Sequence, residues 1–361
     1  MFLQENIPLA PLTTIRIGGS ARYFVAAKDV GEVQEAVTWA RSRDLPLFAL
    51  GGGSNLVVAD SGWPGLVLKI ALQGIDRRSA HDQHSDDEHG GDEHGKVLFD
   101  VGAGESWDKF VSDAVRARCA GVECLSGIPG SVGGTPVQNV GAYGQEVSET
   151  ISAVQVLDLK DGQVRELCPE ACEFSYRSSI FNSTERGRFI VLRVTYALTP
   201  DGGPRISYAD LKRHFEGRET PPNLAETREA VRHIRASKGM LLVPGDPDCL
   251  SAGSFFKNPV LSEEQHNDLK RRAAARGLTV PSYPALESRK KVSAAWLVER
   301  SGFAKGFGFA RVGISTKHAL AIVNRGGATA ADVLALKDQI QHRVEEIWGV
   351  RLEPEPVMVG F

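Results

Sequence analysis

Cys124-Leu-Ser-Gly-Ile-Pro-Gly-Ser-Val-Gly-Gly-Thr-Pro-Val-Gln-Asn-Val-Gly-Ala-Tyr-Gly144 holds six glycines and two prolines in twenty-one residues, a composition that neither a helix nor a plain strand accepts. Glycine at 127, 130, 133, 134, 141 and 144 removes the Cβ wherever something must lie against the main chain, while Pro129 and Pro136 fix φ and stiffen the loop. A flat, charged ligand is the natural occupant. A second cluster, Gly51-Gly52-Gly53-Ser54-Asn55, directly follows the apolar run Leu47 to Leu50, which reads as a buried strand ending in a turn. Consecutive backbone NH groups in such a turn form an anion nest. Either cluster alone is equally well an ordinary tight turn; the two together favour a bound pyrophosphate.

Working outward from the two clusters, Arg22 to Ala27 is rich in strand formers, and Val33, Ala36, Val37 and Ala40 recur at helical spacing. With the strand Leu47 to Leu50 they predict a βαβ unit feeding the glycine turn. Short strands are expected over Gly65 to Ile70 and Lys96 to Val101, then a helix from about Ser106 to Arg118 with Phe110, Val111, Ala114 and Val115 inward. Ile151 to Asp158, Gln163 to Leu167 and Arg188 to Leu198 read as strands with turn signals between them. Near Pro221-Pro222 the pattern changes to a helix through Ala230, Val231 and Ile234, and a mixed α/β segment follows. Its last helix is capped by Thr329, with Asp332 at the third helical position and Val333, Leu336, Ile340, Val344 and Ile347 in one apolar stripe. These readings divide the chain into residues 1–220, with subdomains of about 1–70 and 71–220, and residues 221–361.

The chain of 361 residues is long enough for each part to bury its own core, and 42% hydrophobic with 24% charged residues is the balance of a soluble globular protein. A formal net charge of −3 without a basic stripe gives no electrostatic case for nucleic acid. The N-terminus lacks a basic, apolar leader, and no run approaches the roughly eighteen apolar residues that span a bilayer, so a cytoplasmic monomer without a membrane partner is expected. Cys119, Cys124, Cys168, Cys172 and Cys249 are odd in number and lack paired CxxC spacing, which predicts reduced thiols; Cys168 and Cys172 read as small buried hydrophobes rather than metal ligands. His81, His84, His89 and His94 lie among six carboxylates, but with almost no apolar residue to fix a ligand geometry. That tract, about 79–95, reads as a disordered acidic insertion between two strands, and no metal site is assigned.

The first glycine cluster lacks the GxGxxG order of a dinucleotide Rossmann turn. What the chain resembles instead, over nearly its whole length, is the UDP-N-acetylenolpyruvoylglucosamine reductase (MurB) family. The resemblance rests on Pro11-Leu12-Thr13-Thr14 with Gly18-Gly19, the Gly51 to Asn55 turn, the long Gly/Pro loop, Tyr176-Arg177-Ser178-Ser179-Ile180-Phe181, Ala252-Gly253-Ser254-Phe255-Phe256-Lys257-Asn258-Pro259, and Leu352-Glu353-Pro354-Glu355, all in order. It implies an α+β fold: a two-part FAD-binding domain of the vanillyl-alcohol-oxidase type, followed by a smaller α/β substrate-binding domain. It also implies noncovalent FAD, NADPH as hydride donor, and reduction of UDP-N-acetylglucosamine enolpyruvate to its lactyl ether in peptidoglycan precursor synthesis.

That chemistry needs a cation for the carboxylate and the enolate-like charge, a proton donor, and a group that tunes both. Ser254 matches the family's proton donor and Arg177 its carboxylate fork. Glu355 completes the set, favoured over Glu353 by its spacing to Gly360, although Pro356-Val357 follows it where the family pattern has Val-Arg. For the flavin, the resemblance implies Gly52, Gly53, Ser54 and Asn55 at the pyrophosphate. Gly127, Ile128, Pro129, Gly130, Gly133, Gly134, Asn139, Gly141, Ala142, Tyr143 and Gly144 would pass along the isoalloxazine and ribityl chain. Tyr208, Lys238 and Asn258 match positions that contact the UDP-sugar. Two alternatives stand beside the reductase: a flavin-dependent oxidase of the same fold, which would not need the set Ser254, Arg177 and Glu355, and a flavin or nucleotide-sugar binding protein that has lost the chemistry.

Overall fold

The computed structural model describes residues 1–79, 95–285 and 288–361, so the histidine-rich tract lies outside the described residues. By contacts the chain forms two compact units that do not follow chain order. The first comprises Met1–Asn6, Arg22–Gly52 and Pro64–Ala236; the second comprises Ile7–Ala21, Gly53–Trp63 and Ser237–Phe361. The helix expected just beyond residue 220 therefore closes the first unit.

Two sheets build the first unit. A four-stranded sheet runs Gln4–Pro8, Ser20–Ala27, Trp63–Ile70, Leu47–Leu50, the last two strands being parallel. Helix α1 (Val30–Arg41) joins Ser20–Ala27 to Leu47–Leu50 and buries Val33, Ala36, Val37 and Ala40, the spacing read from the sequence. Trp63–Ile70 lies between the two strands, so the expected βαβ unit is split by a strand that arrives later in the chain. The second sheet is antiparallel, in the order Val164–Leu167, Ile151–Asp158, Phe189–Pro200, Val97–Gly102, Ile75–Ser79; Cys119–Ala120 pairs with the end of the long central strand. Helix α2 (Trp107–Arg116), N-capped by Ser106, packs Trp107 and Phe110 against Tyr196 of that central strand, with ring centroids 5.7 and 4.8 Å apart. Helices α3 (Ala209–His214) and α4 (Leu224–Ser237) complete the region, α4 burying Ala230, Val231 and Ile234 with Tyr143.

In the second unit, helices α5 (Glu263–Ala274), α6 (Ala294–Glu299) and α7 (Ala330–Trp348) surround a core that includes Phe255, Phe256, Val57 and Ile15. Val333, Leu336, Ile340, Val344 and Trp348 form the buried stripe of α7; Ile347 packs at its edge. Thr329 and Asp332 make the expected capping box, and Gly349 ends the helix in the left-handed conformation. The C-terminal strand Val357–Val359 pairs in parallel with Leu56–Val58, which places the segment after the glycine turn in the core of this unit. All five cysteines are free; Cys168 is exposed, contrary to its reading as a buried hydrophobe, while Cys172 is buried. No helix among the described residues is long and apolar enough to cross a membrane.

Asp60, two residues past Leu56–Val58, gives the start of α7 a second cap: its carboxylate accepts from Ala330 N at 2.8 Å and Ala331 N at 3.1 Å. Its negative charge also faces the positive end of the helix dipole, a favourable interaction. Replacing Asp60 by Ala should cost about 1 kcal/mol, lowering the thermal midpoint by roughly 2–4 °C, and Asp60→Asn should recover part of the loss. A midpoint equal to wild type for both variants, read by calorimetry, would contradict this second cap.

Candidate functional site

The Gly/Pro loop lies in the first unit and is held along the run from Ala103 to Asp108, where the strand Val97–Gly102 passes into α2. Gly133 N donates to Ala103 O, Val132 N to Glu105 O and Trp107 N to Gly130 O, each at 2.9–3.1 Å. Trp107 Nε1 donates to Leu125 O, and Gly127 N donates to the Asp108 carboxylate at 2.6 Å. Asp108 also accepts from Arg228 and Arg232 of α4. Burial pushes the Asp108 carboxyl up, but the hydrogen bonds from Arg228 and the Gly127 amide outweigh it and hold the group below its ordinary value.

Glycine is required where the first cluster meets this loop. A Cβ on Gly52 would lie 2.4 Å from Gly130 Cα, and one on Gly51 would lie 2.9 Å from Ser131 Oγ. That hydroxyl is buried and, among the described residues, has no hydrogen-bond partner. Lys69, paired in register with Leu50 at the entry to the turn, donates its ammonium to Gly51 O, and burial lowers its pKa. A side-chain-free turn, an unpaired buried donor and a cation thus converge on one place, the chemistry a pyrophosphate needs. Ser131 and Lys69 escaped the sequence reading. The serine has no periodic signal, and the lysine reaches the turn only through the parallel strand pairing.

The motif around Arg177 is locked onto the same loop. Ser175 and Ser178 pair across a turn that puts Arg177 in the left-handed region, φ 56°. Arg177 Nη2 donates to Gly141 O at 2.7 Å, Ser179 Oγ to Val137 O at 2.7 Å, and Asn139 Nδ2 to Ser175 O at 3.1 Å. Asn139 also donates to Glu146 and accepts from Ser148 N, so its side chain ties the loop to the segment that follows it. Tyr143 stands edge-to-face on Tyr208 at 5.4 Å; Tyr208, at the N-cap of α3, is the more exposed of the two. Cys124 at the loop's edge is fully buried, donates to Arg205 O, and burial pushes its thiol far above the ordinary value.

The second unit brings two of the expected site segments side by side. Glu355 N donates to Phe255 O and Lys257 N to Glu353 O, both 2.9 Å, with Phe256 opposite Pro354. Ser254 therefore precedes a residue bonded directly to Glu355. Phe255 and Phe256 are both buried in the core and anchor the segment. Glu353 points elsewhere: its side chain is 74% exposed and pairs with Lys257. Asn55 Nδ2 donates to Glu355 O and Asn55 O accepts from Val357 N. Asn258 Oδ1 accepts from Ala294 N at the start of α6. Lys238 follows α4 and precedes Gly239, whose φ of 64° sets it against Asp248. Gly53 and Ser54 lie against the Pro11-to-Thr14 segment, where a Cβ on Gly53 would come within 1.9 Å of Leu12 O.

Residues 246–359 match the family described as the C-terminal domain of UDP-N-acetylenolpyruvoylglucosamine reductase, and residues 21–167 match the FAD binding domain family. The UDP-N-acetylenolpyruvoylglucosamine reductase of Thermobifida fusca is 44% identical over 99% of this chain and 98% of its own length. The chain belongs to the UDP-N-acetylenolpyruvoylglucosamine reductase family. The Streptomyces coelicolor member is 45% identical over 99% of this chain and 90% of its own. The crystal structure of the Thermus caldophilus reductase (MurB) aligns with a TM-score of 0.63 at 28% identity, covering 99% of this chain and all of that one. The fold is that expected from the sequence, an α+β FAD-binding domain followed by the reductase family's C-terminal domain. The chain carries an FAD site, and the glycine turn, Ser131 and Lys69 fit its pyrophosphate.

Ser131→Ala should leave the thermal midpoint of the apoprotein equal or higher, because an unpaired buried hydroxyl costs stability, while FAD affinity falls by about tenfold. Unchanged affinity in a fluorescence titration would mean the hydroxyl faces no phosphate. For Asp108, a carboxyl held below its ordinary value contributes stability above that value, near pH 4, and loses it as pH falls through the lower folded value. The midpoint difference between wild type and Asp108→Asn should therefore be constant between about pH 5 and 8 and shrink below about pH 4. A difference independent of pH would rule out the charge as its source.

Proposed function

We propose that this chain reduces UDP-N-acetylglucosamine enolpyruvate to UDP-N-acetylmuramate with NADPH as electron source, as a cytoplasmic monomer in peptidoglycan precursor synthesis. FAD, held noncovalently, supplies the relay of hydride from the nicotinamide to the vinyl carbon. The buried, un-ionised Cys124 thiol fits that noncovalent mode. What carries the reading is the backbone pairing of Phe255 with Glu355, which joins two motifs a hundred residues apart in sequence at the point where a proton donor and a carboxylate are required.

The roles follow from the chemistry of each side chain. Ser254 donates the proton to the carbon beside the substrate carboxylate, a step that needs the alkoxide left behind to be stabilised. Glu355 orients and polarises that site. Arg177, with its guanidinium already ordered by Gly141 O, supplies the planar fork for the enolpyruvyl carboxylate and the charge that develops on it. Tyr208 and Lys238 bind the diphosphate of the UDP-sugar, and Asn258 supports the same ligand from the entry to α6.

The test is anaerobic. NADPH should bleach the flavin of wild type and of Ser254→Ala alike, and the enolpyruvyl substrate should restore the colour of wild type while restoring that of the variant at least about a hundredfold more slowly. Failure of wild type to recolour without oxygen would overturn the reductase reading in favour of an oxidase or a binding protein.

A further inference from the structure

Thr14 belongs to the Pro11-Leu12-Thr13-Thr14 run, which no step of the chemistry uses, yet it sits where the flavin turn and the segment carrying Ser254 meet inside the second unit. Its backbone N donates to Gly53 O at 3.1 Å, and the adjacent Ile15 O accepts from Asn324 Nδ2 at 3.0 Å. Thr14 is thereby fixed on both sides. Its hydroxyl has one proton and two carbonyls in reach, Ser251 O at 2.6 Å and Ser54 O at 3.3 Å, and the shorter contact takes the proton. Beyond that bond, the Ser251 hydroxyl accepts from Gly253 N at 3.3 Å, shaping a turn in which Gly253 has φ 78°. Ser254 is the next residue. Asn324 N meanwhile donates to Leu250 O, and Phe255 N to Leu320 O, so the segment is pinned before and after the turn.

We propose that Thr14 is a positioning residue for the proton donor: its hydrogen bond to the Ser251 carbonyl sets the turn that aims Ser254, and so ties the proton-transfer geometry to the turn that holds the flavin pyrophosphate. The proposal rests on the role given to Ser254 above. A hydroxyl two carbonyls compete for, on a backbone held from both sides, has little freedom to be replaced by water or by a neighbour. Loss of the bond leaves the carbonyl of a buried residue without this donor and lets the Gly253 turn relax, and displacements of about 1 Å at a reacting group cost up to a hundredfold in rate.

The experiment uses the full-length, FAD-loaded chain and compares Thr14→Val, which keeps the shape, with Thr14→Ser, which keeps the hydroxyl. At saturating enolpyruvyl substrate, T14V should recolour about tenfold or more slowly than wild type and with a larger solvent deuterium isotope effect. Bleaching by NADPH should stay within about twofold, and T14S should recover most of the recolouring rate. Should T14V not retain FAD, Thr14→Cys, with its weaker donor, carries the same comparison. Recolouring of T14V at the wild-type rate overturns the proposal and leaves the reductase reading intact. So does a loss shared equally by bleaching and recolouring that T14S does not reverse, since that is a general structural effect. A wild type that bleaches but does not recolour overturns the reductase reading and this proposal with it.

Discussion

Backbone touching backbone at Gly52 and Gly53 is the constraint on which the rest depends. At Gly52 the neighbour is Gly130, and at Gly53 it is the Leu12 carbonyl, both closer than any real Cβ allows. The obstacles are main-chain atoms rather than the ends of flexible side chains, so neither site can yield cheaply. The chain passes from the first compact unit to the second between these two residues. Each glycine is over-determined by the main chain of its own unit, and amides ordered in advance are how an anion nest avoids spending binding energy on its own ordering.

The same economy governs the Gly/Pro loop. Twenty-one residues without an α-helix or long strand would leave many backbone groups unsatisfied if the loop merely lay on a core. Instead Ala103 O, Glu105 O and the Asp108 carboxylate accept the loop's amides, and the first amide of α2, Trp107 N, which has no intrahelical acceptor, donates to Gly130 O. Thr135 ties the loop to the Tyr196 hydroxyl at 2.7 Å, within the aromatic cluster of the core. Arg177 adopts a left-handed backbone, a strain of order 1 kcal/mol or more for a non-glycine residue. The three hydrogen bonds that lock its motif onto the loop offset that strain and leave the guanidinium ordered in advance.

Local signals in the sequence carried far. The buried positions of α1 and α2, the strand Ile151–Asp158 and the cap of α7 all follow from periodicity and end chemistry, which act within a few residues. What escaped was set by contacts distant in sequence. No local pattern shows that Trp63–Ile70 inserts between two earlier strands, that Ile7–Ala21 and Gly53–Trp63 pack with the C-terminal part, or that Gln4–Pro8 is an edge strand. The site divides the same way. The glycines that close packing requires, Gly52 and Gly53, stand out in the sequence, whereas Lys69 and the buried Ser131 hydroxyl are placed by contacts distant in sequence. Asn139 and Asn55 are placed by distant contacts as well, the first bonded to Glu146, Ser148 N and Ser175 O, the second to Glu355 O.

The departure at the C-terminus, where Pro356 follows Glu355, has a physical reading in the hydrogen bonding on either side of it. Glu355 N donates to Phe255 O, and Val357 N donates to Asn55 O. Between them stands the one position whose amide that pattern does not use, so a residue without an N–H is tolerated there. Pro354 occupies the position on the other side, opposite Phe256. Each proline fixes its own φ, and Pro356 further restricts Glu355 to an extended backbone. The glutamate thus stands between two prolines, its amide bonded to Phe255 O and its carbonyl to the Asn55 side chain. Much of the conformational freedom that Glu355 would otherwise lose on folding is already absent from the unfolded chain, because the neighbouring prolines narrow it there.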